Sequence, residues 1–463
     1  MVLTSNSSAK PAKHHTRKLS GGRNDEQSGN EDWKPGLAAR TAAVKILSAV
    51  LDKKTSLDGM LDAENGNPAY RALNLADRAL VRAIVNTALR HLPRIEAALS
   101  MLLDGPLPQG ARSLHHVLVV GATQMIYLDV PDHSAVDLAV EQAHRDPRNR
   151  RFVKLVNAVL RRLGREKDGM MEAISTVPVL PDWFFARLKT VYGEDAAIRM
   201  ADAQLIPSVI DVTVKSDPDH WAQKLNGTVM PNGSVRLASF EGSVSALDGF
   251  ELGEWWVQDF SASMPVRLMG DLTGKRVADL CAAPGGKTAQ LVLAGADVTA
   301  LDQSGNRLKR LRENLDRLKL KATTIESNML KYSTDELFDA VLLDAPCSST
   351  GTLRKHPDVC WTKDKSDIAK LAALQEQMLR HAVTLVKPGG LVVFSNCSLD
   401  PSEGEEMVAR VLASDVRLER VPASASDFPG MDAAINEKGE LRTTPDMFGG
   451  VDGFYAAMLR VKS

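Results

Sequence analysis

Val277-Ala278-Asp279-Leu280-Cys281-Ala282-Ala283-Pro284-Gly285-Gly286-Lys287-Thr288 reads as a short apolar strand, a glycine-bearing turn and the start of a helix. Glycines in such a turn let a ligand approach the backbone, and the helix start offers unpaired N–H groups to an anion. Asp302 follows at the end of the next apolar run, 298–301, where an acid can accept hydrogen bonds from two ribose hydroxyls. Two rival readings of the turn fail on spacing. A P-loop needs glycine at 281, where Cys281 stands, although Gly286-Lys287-Thr288 fit the remainder. The dinucleotide pattern Gly-x-Gly-x-x-Gly is absent. A ribose and a carboxylate without a pyrophosphate describe S-adenosylmethionine, the expected cofactor.

Strand and helix patterns alternate outward from this turn to the end of the chain. Apolar runs at 277–280, 298–301, 322–325, 340–343 and 391–394 are separated by helical patterns at 307–319, 368–386 and, after the last run, 403–412. Such alternation predicts a parallel sheet with helices on both faces. Cys347 and Cys397 each follow one of these runs closely, in Asp344-Ala345-Pro346-Cys347-Ser348 and Ser395-Asn396-Cys397-Ser398. Strand ends of open α/β sheets face the ligand crevice, so both thiols are expected in one site.

The front half has a different period. Apolar residues recur at three and four from Leu37, at Ala43, Ile46, Leu47, Val50 and Leu51 and again at Leu80, Ile84, Val85, Ala88 and Leu89, and helical patterns continue through 115–128, 135–143 and 152–163. This predicts a helical bundle. Pro178 and Pro181 mark a linker into an amphipathic helix over 183–192, and 203–260 reads as a small α+β insert with a strand at 209–214.

At 463 residues the chain exceeds what one core usually supports, and its 44% hydrophobic and 25% charged residues are ordinary for a soluble protein. The net charge of −1 conceals an asymmetry: 145–167 holds nine Lys and Arg against Asp146 and Glu166. A basic stripe on a near-neutral chain points to a phosphate backbone, with Arg148, Arg150, Arg151 and Lys154 as the expected contacts. Cysteines at 281, 347, 360 and 397 lack metal-ligand spacing, so no metal is expected. No apolar stretch reaches the roughly 18 residues that cross a bilayer, and a cytoplasmic address is expected.

Two thiols and an acid at neighbouring strand ends suit one reaction. Cytosine C5 is a poor nucleophile until a thiolate adds at C6, after which the ring carbon can accept a methyl group. A carboxyl group near N3, for which Asp344 is placed, helps neutralise charge developing on the ring.

The block from Trp256 to Leu459 resembles the NOL1/NOP2/Sun family of RNA cytosine-5 methyltransferases. The motifs are Val257-Gln258-Asp259, Asp279 through Thr288, Asp344 through Ser348, His356-Pro357-Asp358, Lys387-Pro388-Gly389-Gly390, Cys397-Ser398 and Asp452-Gly453-Phe454. The resemblance implies that Cys397 is the nucleophile at C6, that Cys347 assists product release, and that Cys281–Lys287, Asp302 and Asp344 contact S-adenosylmethionine. It also sets Asn328, where the family usually carries Asp, beside the adenine. Residues 37–165, notably Leu73-Asn74-Leu75-Ala76-Asp77-Arg78 and Asn157-Ala158-Val159-Leu160-Arg161-Arg162, resemble the all-helical NusB RNA-binding fold.

Residues 1–35, rich in Ser, Lys, Gly and Asn, bury too little apolar surface to order and are expected to be a disordered basic tail. The combination of resemblances implies a multidomain chain with an all-α NusB-like bundle over 36–168. A linker helix and small α+β region that positions RNA follow over 169–260, and an α/β Rossmann-like class I methyltransferase over 261–463. The implied substrate is 16S rRNA. The alternatives are a tRNA cytosine methyltransferase and an RNA-binding scaffold whose methyltransferase half has weakened.

Overall fold

The three-and-four spacing in the front half becomes the buried face of real helices. The computed structural model describes residues 33–108, 110–238 and 242–463, so most of the basic tail expected over 1–35 lies outside the described residues. Helices Leu37–Lys53, Leu75–Arg90, Leu92–Leu102, Arg112–Tyr127, Asp132–Arg145 and Val153–Arg165 enclose one apolar core. Arg112–Tyr127 is buried nearly all round from Leu114 to Ile126, as expected of a helix at the centre of a bundle. The Asn74 side chain accepts the Asp77 N–H at 2.8 Å and so starts Leu75–Arg90, a cap contributing about 1 kcal/mol.

Two helices, Asp182–Tyr192 and Glu194–Leu205, link the bundle to the rest of the chain. The second was not anticipated, because its buried residues include Ala197, Ala201 and Ala203, too small to stand out as an apolar stripe. The pair packs on Leu353, Val359, Cys360 and Leu399 of the C-terminal part. An antiparallel sheet follows, formed by β1 (Asp211–Val214), β2 (Gly227–Val229), β3 (Val235–Leu237) and β4 (Trp255–Val257) in the order β2-β3-β1-β4. Trp256 of β4 packs with Ala282 and Ala283, so this small sheet abuts the glycine-bearing turn.

The C-terminal sheet contains β5 (Arg276–Leu280), β6 (Asp297–Asp302), β7 (Thr323–Glu326), β8 (Phe338–Asp344), β9 (Val386–Asn396), β10 (Leu418–Arg420), β11 (Leu441–Thr443) and β12 (Phe454–Val461). Its order is β10-β12-β9-β8-β5-β6-β7, with β11 paired to β12. Strands β5 to β9 are parallel, as the alternation predicts. Three further strands that the sequence reading did not include, β10, β11 and β12, extend the sheet by antiparallel pairing. The final run of the chain, reached from the helix Glu405–Ser414 without another crossover helix, returns along β9 in the opposite direction. The helix expected over 368–386 ends at Thr384, and Val386 already pairs with Phe338.

The order reverses beside β5, between β6 on one side and β8 on the other. Ligands of open α/β sheets bind outside the strand ends at such a reversal. Both cysteine-bearing loops leave the sheet here, because β8 ends at Asp344 and β9 at Asn396.

The segment after Cys347 is also the seam with the helical bundle. Asp358 Oδ2 accepts the Leu57 N–H at 3.0 Å, Trp361 Nε1 donates to the Leu89 carbonyl at 3.0 Å, and Arg90 Nη2 donates to the Arg354 carbonyl at 2.7 Å. One stretch of chain therefore runs from a site thiol to the bundle surface.

Candidate active site

The glycine-bearing turn follows β5 and opens the helix Gly286–Leu293. Gly285 has φ +101°, a conformation that side-chain-bearing residues rarely adopt, and a Cβ there would meet Leu311 at 2.9 Å. The turn satisfies part of itself: Ala282 N–H donates to the Leu301 carbonyl, Gly285 N–H to the Ala282 carbonyl and Ala283 N–H to Asp302. The open donors are those of Gly286, Lys287 and Thr288 in the first helical turn.

A cavity of about 340 Å³ lies beyond these strand ends. Its wall includes Cys281, Ala283, Asp302, Asn328, Asp344, Cys347 and Cys397, all of them expected from the sequence. Ala282 and Gly285 are buried behind the turn, Pro284 is exposed, and Gly286 and Lys287 are half-buried; none of these five is on the cavity wall. Lys287 nevertheless reaches the site, with Nζ 2.7 Å from Asp344 Oδ2 and 5.2 Å from the centre of the Phe454 ring. Ser395 donates to the other Asp344 oxygen at 2.9 Å.

Asp302 is buried at the end of β6 and accepts hydrogen bonds from Ser304 N–H at 3.0 Å and Ala283 N–H at 3.3 Å. Asn328 is exposed, and its Oδ1 accepts the Leu330 N–H at 3.0 Å. Asp279, one layer below, is wholly buried and accepts the Thr288 hydroxyl at 2.6 Å. Burial pushes its carboxyl up to about 7, against that hydrogen bond.

The four thiols divide by environment. Burial pushes Cys281 up to about 12, with Asp344 and Asp302 adding to the effect, and burial also raises Cys360. Neither is a ready thiolate at neutral pH. Cys347 and Cys397 are half-buried, with their Sγ atoms 3.5 Å apart. Their mutual contact raises Cys347 and lowers Cys397, so the thiolate is favoured on Cys397 relative to Cys347. Ser349 lies near enough to assist, its Oγ 3.9 Å from Cys347 Sγ and its hydroxyl also lowering Cys397.

In the bundle, Arg148, Arg150, Arg151 and Lys154 are exposed at the start of Val153–Arg165, whose other face buries Val156, Val159, Leu160 and Leu163. Arg148 is paired with Asp146 at 3.0 Å, and Arg150 donates to the His144 carbonyl at 3.0 Å. Sequence reasoning missed Arg307, on the cavity wall, and Lys355, held between Asp259 at 2.6 Å and Asp452 at 2.8 Å. The signal for Lys355 lay in its two partners, which belong to the motifs Val257-Gln258-Asp259 and Asp452-Gly453-Phe454. Among the described residues no cluster of three or more His, Cys, Asp or Glu is placed to hold a metal ion, and no helix is long and apolar enough to cross a membrane.

A doubly wound sheet, an acid at the end of its second strand and an open cavity at the strand reversal define an S-adenosylmethionine-dependent methyltransferase of the Rossmann-like class. The family model described as 16S rRNA methyltransferase RsmB/F matches residues 269–460, and the NusB family model matches 37–165. The Ribosomal RNA small subunit methyltransferase B of Vibrio vulnificus is 35% identical over 440 residues, covering 91% of this chain and 98% of that protein. A methyltransferase homologue from Pyrococcus horikoshii is 28% identical, with a TM-score of 0.51 over 60% of this chain and 94% of that one. The crystal structure of PH0851 matches 92% of this chain and 99% of its own at a TM-score of 0.69 and 19% identity, a likeness of fold. The chain belongs to the RsmB/F family of 16S rRNA methyltransferases.

Proposed function

We propose that the chain methylates C5 of a cytosine in 16S rRNA through a covalent adduct with Cys397. The observation that carries this reading is the 3.5 Å separation of Cys347 and Cys397 on the wall that also holds Asp302 and Asp344. The names of the bacterial relatives favour small-subunit rRNA over tRNA. The bundle, matched by the NusB family model, supplies the RNA-binding surface in this reading, with the cytoplasm as its place of action.

Bound S-adenosylmethionine supplies an electrophilic methyl group. Asp302, Asn328 and the turn Cys281–Lys287 hold it in this reading: the buried carboxylate suits a ribose, and the open N–H groups of the helix start suit a carboxylate.

In this reading Cys397 attacks as the thiolate, the form that its contact with Cys347 and the Ser349 hydroxyl favour. Its sulfur bonds to C6 and makes C5 nucleophilic, while Asp344, oriented by Lys287 and Ser395, faces the N3 edge. Once Cys397 is a thioether, its hydrogen-bonding and charge effects on Cys347 vanish, and these are among the influences that raise Cys347. Cys347 can then lose its proton to solvent and take the C5 proton. The C6–S bond breaks, and Cys397 leaves as the thiolate with which it started.

Transfer of labelled methyl groups to unmethylated 16S rRNA and to tRNA, followed by nucleoside analysis, tests the reading. The expected product is 5-methylcytidine in 16S rRNA alone; label only in tRNA, or on another base, overturns it.

A further inference from the structure

The two cysteine loops meet at a third residue that the chemistry above does not use. Glu403 is fully buried, in the turn Pro401–Glu403. Its Oε1 accepts hydrogen bonds from the Ser348 N–H at 2.9 Å and Gln375 Nε2 at 2.9 Å, and its Oε2 from the hydroxyls of Ser348 at 2.5 Å and Ser398 at 2.6 Å. Ser348 directly follows Cys347, and Ser398 directly follows Cys397.

The residues preceding the cysteines are tied to the same centre. Gln375 also donates to the carbonyl of Pro346 at 2.9 Å, and Asn396 Nδ2 donates to the backbone carbonyl of Glu403 at 2.7 Å. Both flanks of both cysteines are thus held by Glu403 or through one intermediary. The two hydroxyls lie 3.2 Å apart, so one carboxylate oxygen bridges the two loops.

Its four carboxylate partners are all neutral groups. Burying a carboxylate without a cation is costly unless every acceptor position is filled, and an apolar contact would join two loops at lower cost. The arrangement instead fixes direction: two oxygens set the orientation of both loops at once. We propose that Glu403 is a positioning residue for methyl transfer, its carboxylate setting the placement of Cys347 against Cys397 by holding the residue after each. The proposal rests on the two-thiol reading above.

The test uses the full chain as Glu403→Ala and Glu403→Gln, with kcat and KM for unmethylated 16S rRNA and calorimetric binding of S-adenosylmethionine. Glutamine keeps the connections: its carbonyl can accept from the Ser348 N–H and Gln375, and its amide can donate to the two hydroxyls. The expected result for Glu403→Ala is a fall in kcat on the order of a hundredfold, the cost of misplacing a reacting group by about 1 Å, with KM and cofactor affinity unchanged. Glu403→Gln should recover most of the rate. A parental kcat in Glu403→Ala overturns the proposal, as does loss of cofactor binding in step with kcat, or Glu403→Gln as slow as Glu403→Ala.

If Glu403→Ala does not fold, the double variant Ser348→Ala, Ser398→Ala carries the same test: kcat should fall with cofactor binding intact, and full activity overturns the proposal. In a Cys347→Ala background, absence of a covalent RNA adduct indicts the two-thiol reading. An adduct that does form in Cys347→Ala, together with a parental kcat in Glu403→Ala, indicts the positioning role alone.

Discussion

Asp302 and Arg307 form an ion pair of 3.1 Å at the wall of the cofactor cavity, with the carboxylate buried and the guanidinium half exposed. Arg307 Nη2 also donates to the Ala283 carbonyl at 2.5 Å, joining the helix Gly305–Arg317 to the glycine-bearing turn. The acid assigned to the ribose is therefore pre-oriented by the turn and by Arg307 together. Asp302→Ala is expected to weaken S-adenosylmethionine binding by about 1.5–3 kcal/mol, the usual contribution of hydrogen bonds to a charged group. Arg307→Ala should change it by less than about 1 kcal/mol, as for an ion pair open to solvent. Calorimetric titration separates the two; unchanged affinity in Asp302→Ala means the ribose lies elsewhere.

The contact between Cys347 and Cys397 raises one thiol and lowers the other, which makes their variants unequal. Cys347→Ala should still form the bond to cytosine and accept the methyl group, then stall as a protein–RNA adduct that survives denaturing electrophoresis. Cys397→Ala should form none while binding S-adenosylmethionine normally. Adducts in Cys397→Ala alone would reverse the two roles.

Asp279 couples this site to pH. Its carboxyl is raised by burial from 3.8 to about 7, so between these values the folded chain retains a proton that the unfolded chain has lost. Its contribution to stability is complete below 3.8 and is lost as pH rises through about 7. Asp279→Asn keeps an acceptor for Thr288 and removes the titration. Its melting temperature should exceed the parent's by a margin that widens across this window and is level above it, reaching on the order of a few degrees at pH 8. Parallel pH profiles for variant and parent would show that Asp279 is ionised throughout.

Charge reversal at Arg148, Arg150, Arg151 and Lys154 should weaken RNA binding and flatten its salt dependence. Every phosphate that is no longer neutralised lowers the log–log slope by roughly 0.7 to 0.9. Arg148, already paired with Asp146, should matter least of the four. An unchanged slope in filter-binding titrations would assign these cations to a solvated face.

By itself the sequence determined the units whose signals are local. Helical spacing at Ala43, Ile46, Leu47 and Val50, the apolar runs of β5 to β9 and the glycine-bearing turn after β5 each lie within a dozen or so residues, and their periods follow from backbone geometry. The same logic set Cys347 and Cys397 at the ends of strands. The helix Glu194–Leu205 escaped it because alanine contributes little to an apolar pattern, and β12 escaped it because a run buried on both faces carries no sign of its direction. Only the tertiary structure decided that β12 runs antiparallel to β9, that Arg307 braces Asp302, and that Glu403 joins loops whose cysteines are fifty residues apart. Those relationships depend on which strands become neighbours, and strand order is settled by the packing of all the elements together, so no single stretch of chain encodes it.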